Sequence, residues 1–195
     1  MPTTAIPLIL ASSSPRRREL LDRLGLAFVV QPSSEEESVP AGTPPRAMVE
    51  MLAERKARSI SREHDQGLVI GSDTIVVLNG EVLGKPKDAQ DAFRMLSGLQ
   101  GRTHTVYTGV AVIDAGGGRS SVRSSSTEVR IKPLSADRIE RYIATGEPND
   151  KAGAYGIQGL GATLVQEIHG DYFTVVGLPV GLLSDMLAEF GVHVM

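Results

Sequence analysis

Cysteine is absent from this 195-residue chain, which excludes a disulfide framework, a thiolate zinc site and a cysteine nucleophile. Tryptophan is absent too, and aromatic residues make up only 4% of the sequence. A buried core therefore has to be assembled from Ala, Val, Leu and Ile, and few platforms remain on which single-stranded nucleic acid would stack. No apolar run approaches the roughly 18 residues that span a bilayer. The short apolar stretch near the start has no Lys or Arg before it, the reverse of a secretory signal, so the expectation is a soluble cytoplasmic protein without a membrane partner. An excess of one charge is also missing. Lys and Arg number 20 against 23 Asp and Glu, and the net charge of −3 argues against a general binder of nucleic acid or anionic lipid.

What is there is 41% apolar residues in a length suited to one domain, or at most two small ones. Leu8-Ile9-Leu10-Ala11 reads as a buried strand, and Pro15 at a first helical position opens a helix to about Leu24, closed by Gly25. A strand near Ala27–Val30 and an acidic, proline-rich loop over 33–45 follow, then a helix from Arg46 to about Ser61. Leu68–Ile70 and Thr74–Leu78 read as two β runs flanking Gly71-Ser72-Asp73, and Asn79-Gly80 signals a hairpin. Further on, the pattern predicts a helix over 88–99, strands over 103–113 and 120–131, and a helix capped by Ser135. A glycine-rich segment over 153–161, two strands about His169-Gly170-Asp171 and a last helix over 180–190 complete it. This alternation indicates a mixed-sheet α/β or α+β protein.

Four features break the rules that packing alone imposes. In Ser12-Ser13-Ser14-Pro15-Arg16-Arg17-Arg18, arginines occupy the first turn of a helix, whose N-terminus already carries partial positive charge. A bound phosphate at Arg16 or Arg17 resolves the conflict; the plainer alternative is a solvated turn with Ser14 as an ordinary cap. Arg18, four residues before Asp22, is expected to be solvated. Lys56 shares a helical face with Val49, Leu52, Ala53 and Ile60, so its ammonium either snorkels or faces a ligand. Asp73 interrupts an apolar run and should be paired, metal-bound or lining a cleft, unless it is a turn residue after Gly71. The glycines of 153–161 permit close backbone approach to a ligand but also serve turns and kinks.

Other motifs fail. Gly80 to Pro86 has three rather than four residues between its glycines and Pro86 where a P-loop needs Ser or Thr. His64, His104, His169 and His193 show no metal-ligand spacing, and no serine sits in a Gly-x-Ser-x-Gly elbow.

Together, Ser12-Ser13-Ser14-Pro15-Arg16-Arg17-x-x-Leu20-Leu21, Gly71-Ser72-Asp73-Thr74-Ile75-Val76, Gly84-Lys85-Pro86 and Lys151 to Gly159 resemble the Maf-type nucleoside triphosphate pyrophosphatases. The resemblance runs from about residue 8 to 183 and treats residues 1–195 as a single domain. It implies a mixed α/β fold of the Maf/inosine-triphosphatase-like kind, with a cleft between two lobes. It also implies hydrolysis of a nucleoside triphosphate to monophosphate and pyrophosphate, with a divalent cation, Mg²⁺ or Mn²⁺, and a homodimer as the typical assembly. Asp73 then matches the catalytic aspartate, Lys56 and Lys85 the active-site lysines, Glu37 the catalytic glutamate, and Ser12, Ser14, Arg16 and Arg17 the phosphate-binding turn. Glu35-Glu36-Glu37 departs from a more usual Asp-containing acidic run.

The residue types suit that chemistry. Asp73 and Glu37 offer hard oxygen ligands, or a base for water, and Arg17, Lys56 and Lys85 offer charge to phosphate oxygens. Arg16, Thr74 and Gln158 resemble the subgroup acting on dTTP and UTP rather than on 7-methyl-GTP, and a carboxamide matches the N3–H and a carbonyl of uracil or thymine. A non-catalytic nucleotide-binding regulator of cell division is the alternative, but it would not need Asp73, Glu37 and both lysines.

Overall fold

The computed structural model describes residues 6–36 and 38–195. Strand β1 is Leu8–Leu10, helix α1 Pro15–Arg23, β2 Phe28–Val30, α2 Pro45–Ser61, β3 Leu68–Leu78 and β4 Glu81–Leu83. Then come α3 (Ala89–Leu99), β5 (Thr103–Asp114), β6 (Ser120–Ile131) and α4 (Ala136–Ala144). Three short 3₁₀ turns at Glu147–Asp150, Ala152–Ala154 and Gly159–Thr163 lead to β7 (Val165–His169), α5 (Tyr172–Val176) and α6 (Val180–Ala188). The strands form a mixed seven-stranded sheet in the order β2-β1-β3-β5-β6-β7, with β4 paired to β3 off that path. The mixed α/β expectation holds. Among the described residues no helix is long and apolar enough to cross a membrane.

The chain divides into two compact units. The first takes the chain up to Asp73, then Thr108–Ser125 and Gly177–Met195; the second takes Thr74–Tyr107 and Ser126–Val176.

In the first unit β1 is parallel to both β2 and β3, with Leu8 facing Phe28 on one side and Leu68 on the other. All three residues of β1 are buried, as an unbroken apolar run flanked by parallel partners requires. Ile9, Ala11, Val69, Ala111 and Ile113 pack against Ala53, Ala57 and Ile60 of α2. The small residues let α2 lie almost backbone to backbone on the sheet. A Cβ on Gly71 would stand 2.2 Å from the carbonyl oxygen of Ala53, and one on Gly109 would stand 2.2 Å from that of Val49.

In the second unit Asn79 and Gly80, at φ of 51° and 84°, make the tight turn that pairs β3 with β4 in antiparallel register, Val76 opposite Leu83. The core gathers Val76, Leu83, Leu96, Leu99, Val106, Val129 and Ile131 with Tyr142 and Tyr155. Two of the few aromatics are thus committed to it. Tyr155 also shares a 2.7 Å hydrogen bond with Nε2 of His104, itself 2% exposed, and the rings meet edge to face at 5.3 Å.

Two expectations are corrected. Gly71-Ser72-Asp73 is no interruption, because β3 runs unbroken from Leu68 to Leu78. Only one strand, β7, forms about His169; beyond it Asp171 caps a helical turn, its carboxylate accepting from the backbone N–H and the hydroxyl of Thr174 at 2.7 and 2.8 Å. The β-branched residues of 172–176 lose to that cap.

Candidate active site

The arginine turn is built by its serines. Ser14 is the N-cap of α1, its hydroxyl accepting from the Arg17 N–H, and Pro15 sets the first helical φ. Buried Ser12 accepts from the Ser14 N–H at 3.2 Å and from Nη1 of Arg17 at 3.3 Å. Nε of Arg17 donates to the carbonyl oxygen of Gly177 at 2.7 Å. The guanidinium is therefore aimed by the protein itself. No acidic residue lies in the first turn of α1, where Arg16 and Arg17 stand beside the positive end of the helix. Arg18 lies on the exposed side, 3.8 Å from Asp22, as expected.

Lys56 and Asp73 meet. Nζ of Lys56 donates to Oδ1 of Asp73 at 2.5 Å, with side chains 13% and 10% exposed. The cause is strand alternation combined with the close seat of α2. Gly71 touches α2, so Asp73, two residues on, presents its side chain to the same helix and receives the one lysine of the apolar stripe. Ser72 points the other way, is fully buried and donates to the Gly177 carbonyl at 3.0 Å. That single carbonyl oxygen thus holds both Arg17 of the turn and the residue beside Asp73. Sequence gave no signal for Gly177, because a backbone acceptor has no residue type.

Glu37 lies outside the described residues. The loop on either side of it is tied to α2 by Arg55, whose Nη1 donates to the carbonyls of Glu36 and Ser38 at 2.9 and 2.7 Å, and by Ser33 meeting Ser59 at 2.8 Å. Arg55 is a residue that spacing did not single out.

Thr74, Lys85 and Gln158 belong to the second unit. Thr74 is half-buried on β3, and Lys85 is exposed in the loop after β4. That loop is fastened to the glycine-rich segment by the Gly153 N–H, which donates to the Gly84 carbonyl at 3.0 Å. Gln158 opens the 3₁₀ turn 159–163 without capping it through its side chain.

A divalent cation calls for hard oxygen donors, and the buried Asp73 carboxylate is one in kind. Among the described residues no group of three or more His, Asp or Glu side chains gathers.

The family described as Maf-like protein matches residues 7–190. A dTTP/UTP pyrophosphatase of Moorella thermoacetica is 58% identical over 187 residues, covering 96% of each chain. Those of Desulforamulus reducens and Pelotomaculum thermopropionicum are 53% and 51% identical, each over 96% of this chain and 98% of their own. Among solved structures, a Ham1 protein of Staphylococcus aureus is similar over 82% of this chain and 79% of that one, at 16% identity and a TM-score of 0.49. With a match from residue 7 to residue 190 and relatives aligned over nearly their whole length, the chain belongs to the Maf-like protein family.

Proposed function

We propose that this protein hydrolyses dTTP and UTP to the nucleoside monophosphate and pyrophosphate. The observation that carries the reading is the buried Lys56–Asp73 pair beside an arginine turn, in a chain 58% identical to a dTTP/UTP pyrophosphatase. Water attacks the α-phosphorus, the bond from that phosphorus to the bridging oxygen breaks, and the electron pair leaves with pyrophosphate. Asp73 takes the proton of the attacking water, and Lys56 orients its carboxylate. Arg16 and Arg17, with the hydroxyls of Ser12 and Ser14, receive phosphate oxygens at the N-terminus of α1, and Lys85 adds a further cation. Glu37 would hold Mg²⁺ or Mn²⁺, with Asp73 joining it where that carboxylate serves as ligand in place of base, and the cation would supply positive charge against the phosphate oxygens. Gln158 and Thr74 read the pyrimidine base, the carboxamide pairing with the N3–H and a carbonyl of uracil or thymine.

The test is a panel of nucleoside triphosphates with Mg²⁺ or Mn²⁺, scored for both products. Pyrophosphate with monophosphate is expected, with dTTP and UTP ahead of CTP and the purines in kcat/KM. Diphosphate with orthophosphate would overturn the reaction, and GTP ahead of both pyrimidines would overturn the base preference.

A further inference from the structure

The glycine-rich segment does not close on itself; it closes on Glu147. This residue opens the 3₁₀ turn that follows α4, and its carboxylate accepts from three donors. Oε2 takes the Leu160 N–H at 2.9 Å, while Oε1 takes the Gly161 N–H at 2.8 Å and the Tyr142 hydroxyl at 2.9 Å. The Tyr142 oxygen in turn accepts the Gly156 N–H at 3.1 Å. Both ends of the loop 156–161 are thereby fixed to one carboxylate–phenol pair, and Gln158 lies between the fixed points.

The glycines are what this closure requires. A Cβ on Gly159 would stand 2.7 Å from Oε2 of Glu147. One on Gly161 would stand 2.1 Å from the Gly156 carbonyl and 2.6 Å from the Tyr142 hydroxyl. Behind the turn, Nζ of Lys151 donates to the Glu147 carbonyl at 2.6 Å and to Asp150 at 2.7 Å, its stem lying against Gly156. Burial alone would raise the Glu147 carboxyl. The N–H groups of Gly161 and Leu160, the Tyr142 hydroxyl and the Lys151 charge outweigh burial and hold it below the ordinary carboxylate value.

We infer that Glu147 is a positioning residue for base recognition: with Tyr142 it clamps the loop 156–161 so that Gln158 is presented in one conformation. The inference rests on the reading of Gln158 as the base-contacting residue. A clamped carboxamide discriminates, because a base with the wrong edge leaves fixed donors and acceptors unpaired; a loose one re-pairs with whatever arrives.

The experiment compares wild type, Glu147→Gln, Tyr142→Phe and Gln158→Ala in kcat and KM for dTTP, UTP and CTP, and follows amide hydrogen exchange over 156–161. Glu147→Gln should raise KM for dTTP more than it lowers kcat, and should reduce the dTTP-to-CTP ratio in kcat/KM about tenfold. Exchange at Leu160 and Gly161 should accelerate. Tyr142→Phe keeps the ring in the core and removes only the hydroxyl, so it should shift the same ratio less and expose Gly156, which keeps the question open to test if Glu147→Gln folds poorly. Unchanged exchange in both folded variants would overturn the clamp. Faster exchange with an unchanged base ratio, where Gln158→Ala does change it, would overturn the positioning role alone. If Gln158→Ala leaves the ratio unchanged, the base reading of Gln158 fails and takes the specificity role with it, while exchange still decides whether Glu147 holds the loop.

Discussion

Gly71 and Ala53 are separated by less than the width of a methyl group: a Cβ on the strand glycine would stand 2.2 Å from the helix carbonyl. Neither partner at that contact is a flexible side-chain end, so the only relief is to lift α2. Gly71→Ala should therefore cost about 3 kcal/mol or more in urea unfolding, at the upper end of overpacking. Gly98, inside α3, meets nothing nearer than a Leu78 methyl at 3.6 Å. Gly98→Ala should stabilise by about 0.5–1 kcal/mol, since it only restricts the unfolded chain.

Asp73→Asn keeps the shape of the side chain and removes the proposed proton acceptor. Turnover of dTTP should fall by about 10²–10⁴-fold in a protein with an unchanged circular dichroism spectrum. Lys56→Met should instead strand a buried carboxylate and cost about 3 kcal/mol of stability. The double variant should regain part of that loss and none of the activity; equal stability of the single and double variants would show that the pair is not coupled.

Stability should depend on His104. Burial pushes its imidazole from the ordinary 6.5 down to about 4. Between those values the unfolded chain binds a proton that the folded chain refuses, so stability falls as pH drops through 6.5 and the loss is complete near 4. The size is about 3 kcal/mol. His104→Gln should flatten this part of the pH profile measured by urea unfolding, and an unaltered slope would assign it to other groups.

Chelator should abolish activity, and Mg²⁺ or Mn²⁺ should restore it. Because the chain has no Cys and its four histidines show no metal-ligand spacing, a cation has to rest on carboxylates and substrate phosphates, so Mg²⁺ alone should move the melting temperature little, and Mg²⁺ with a non-hydrolysable nucleotide should move it clearly. Full turnover in chelator would remove the metal requirement.

Local signals were legible where one residue type forces one conformation. Pro15 with Ser14 marked the start of α1, and Asn79-Gly80 marked the β3–β4 turn. A lysine on the apolar face of α2 and an aspartate in an apolar run were each anomalous alone, and they prove to resolve one another. The rest depended on partners that sequence does not advertise. Gly71-Ser72-Asp73 reads as a break because its polar and small residues lower strand propensity, yet tertiary partners satisfy each one: α2 covers Gly71, Gly177 takes Ser72 and Lys56 takes Asp73. The glycine-rich segment looked like a cradle for a ligand, and part of its density serves the Glu147 carboxylate instead.

The carbonyl of Gly177 sets an order of events during synthesis. It is the acceptor for Arg17, 160 residues earlier, and for Ser72, 105 residues earlier. A ribosome that has made α1, α2 and β3 has produced every cation and carboxylate of this part of the site, yet none of the oxygen that orients Arg17. Contacts of such separation close late, after the intervening chain has been made and compacted. Truncation before residue 177 should therefore leave a nascent chain that carries the arginine turn without its aimed guanidinium, so the turn is completed only once Gly177 has left the exit tunnel.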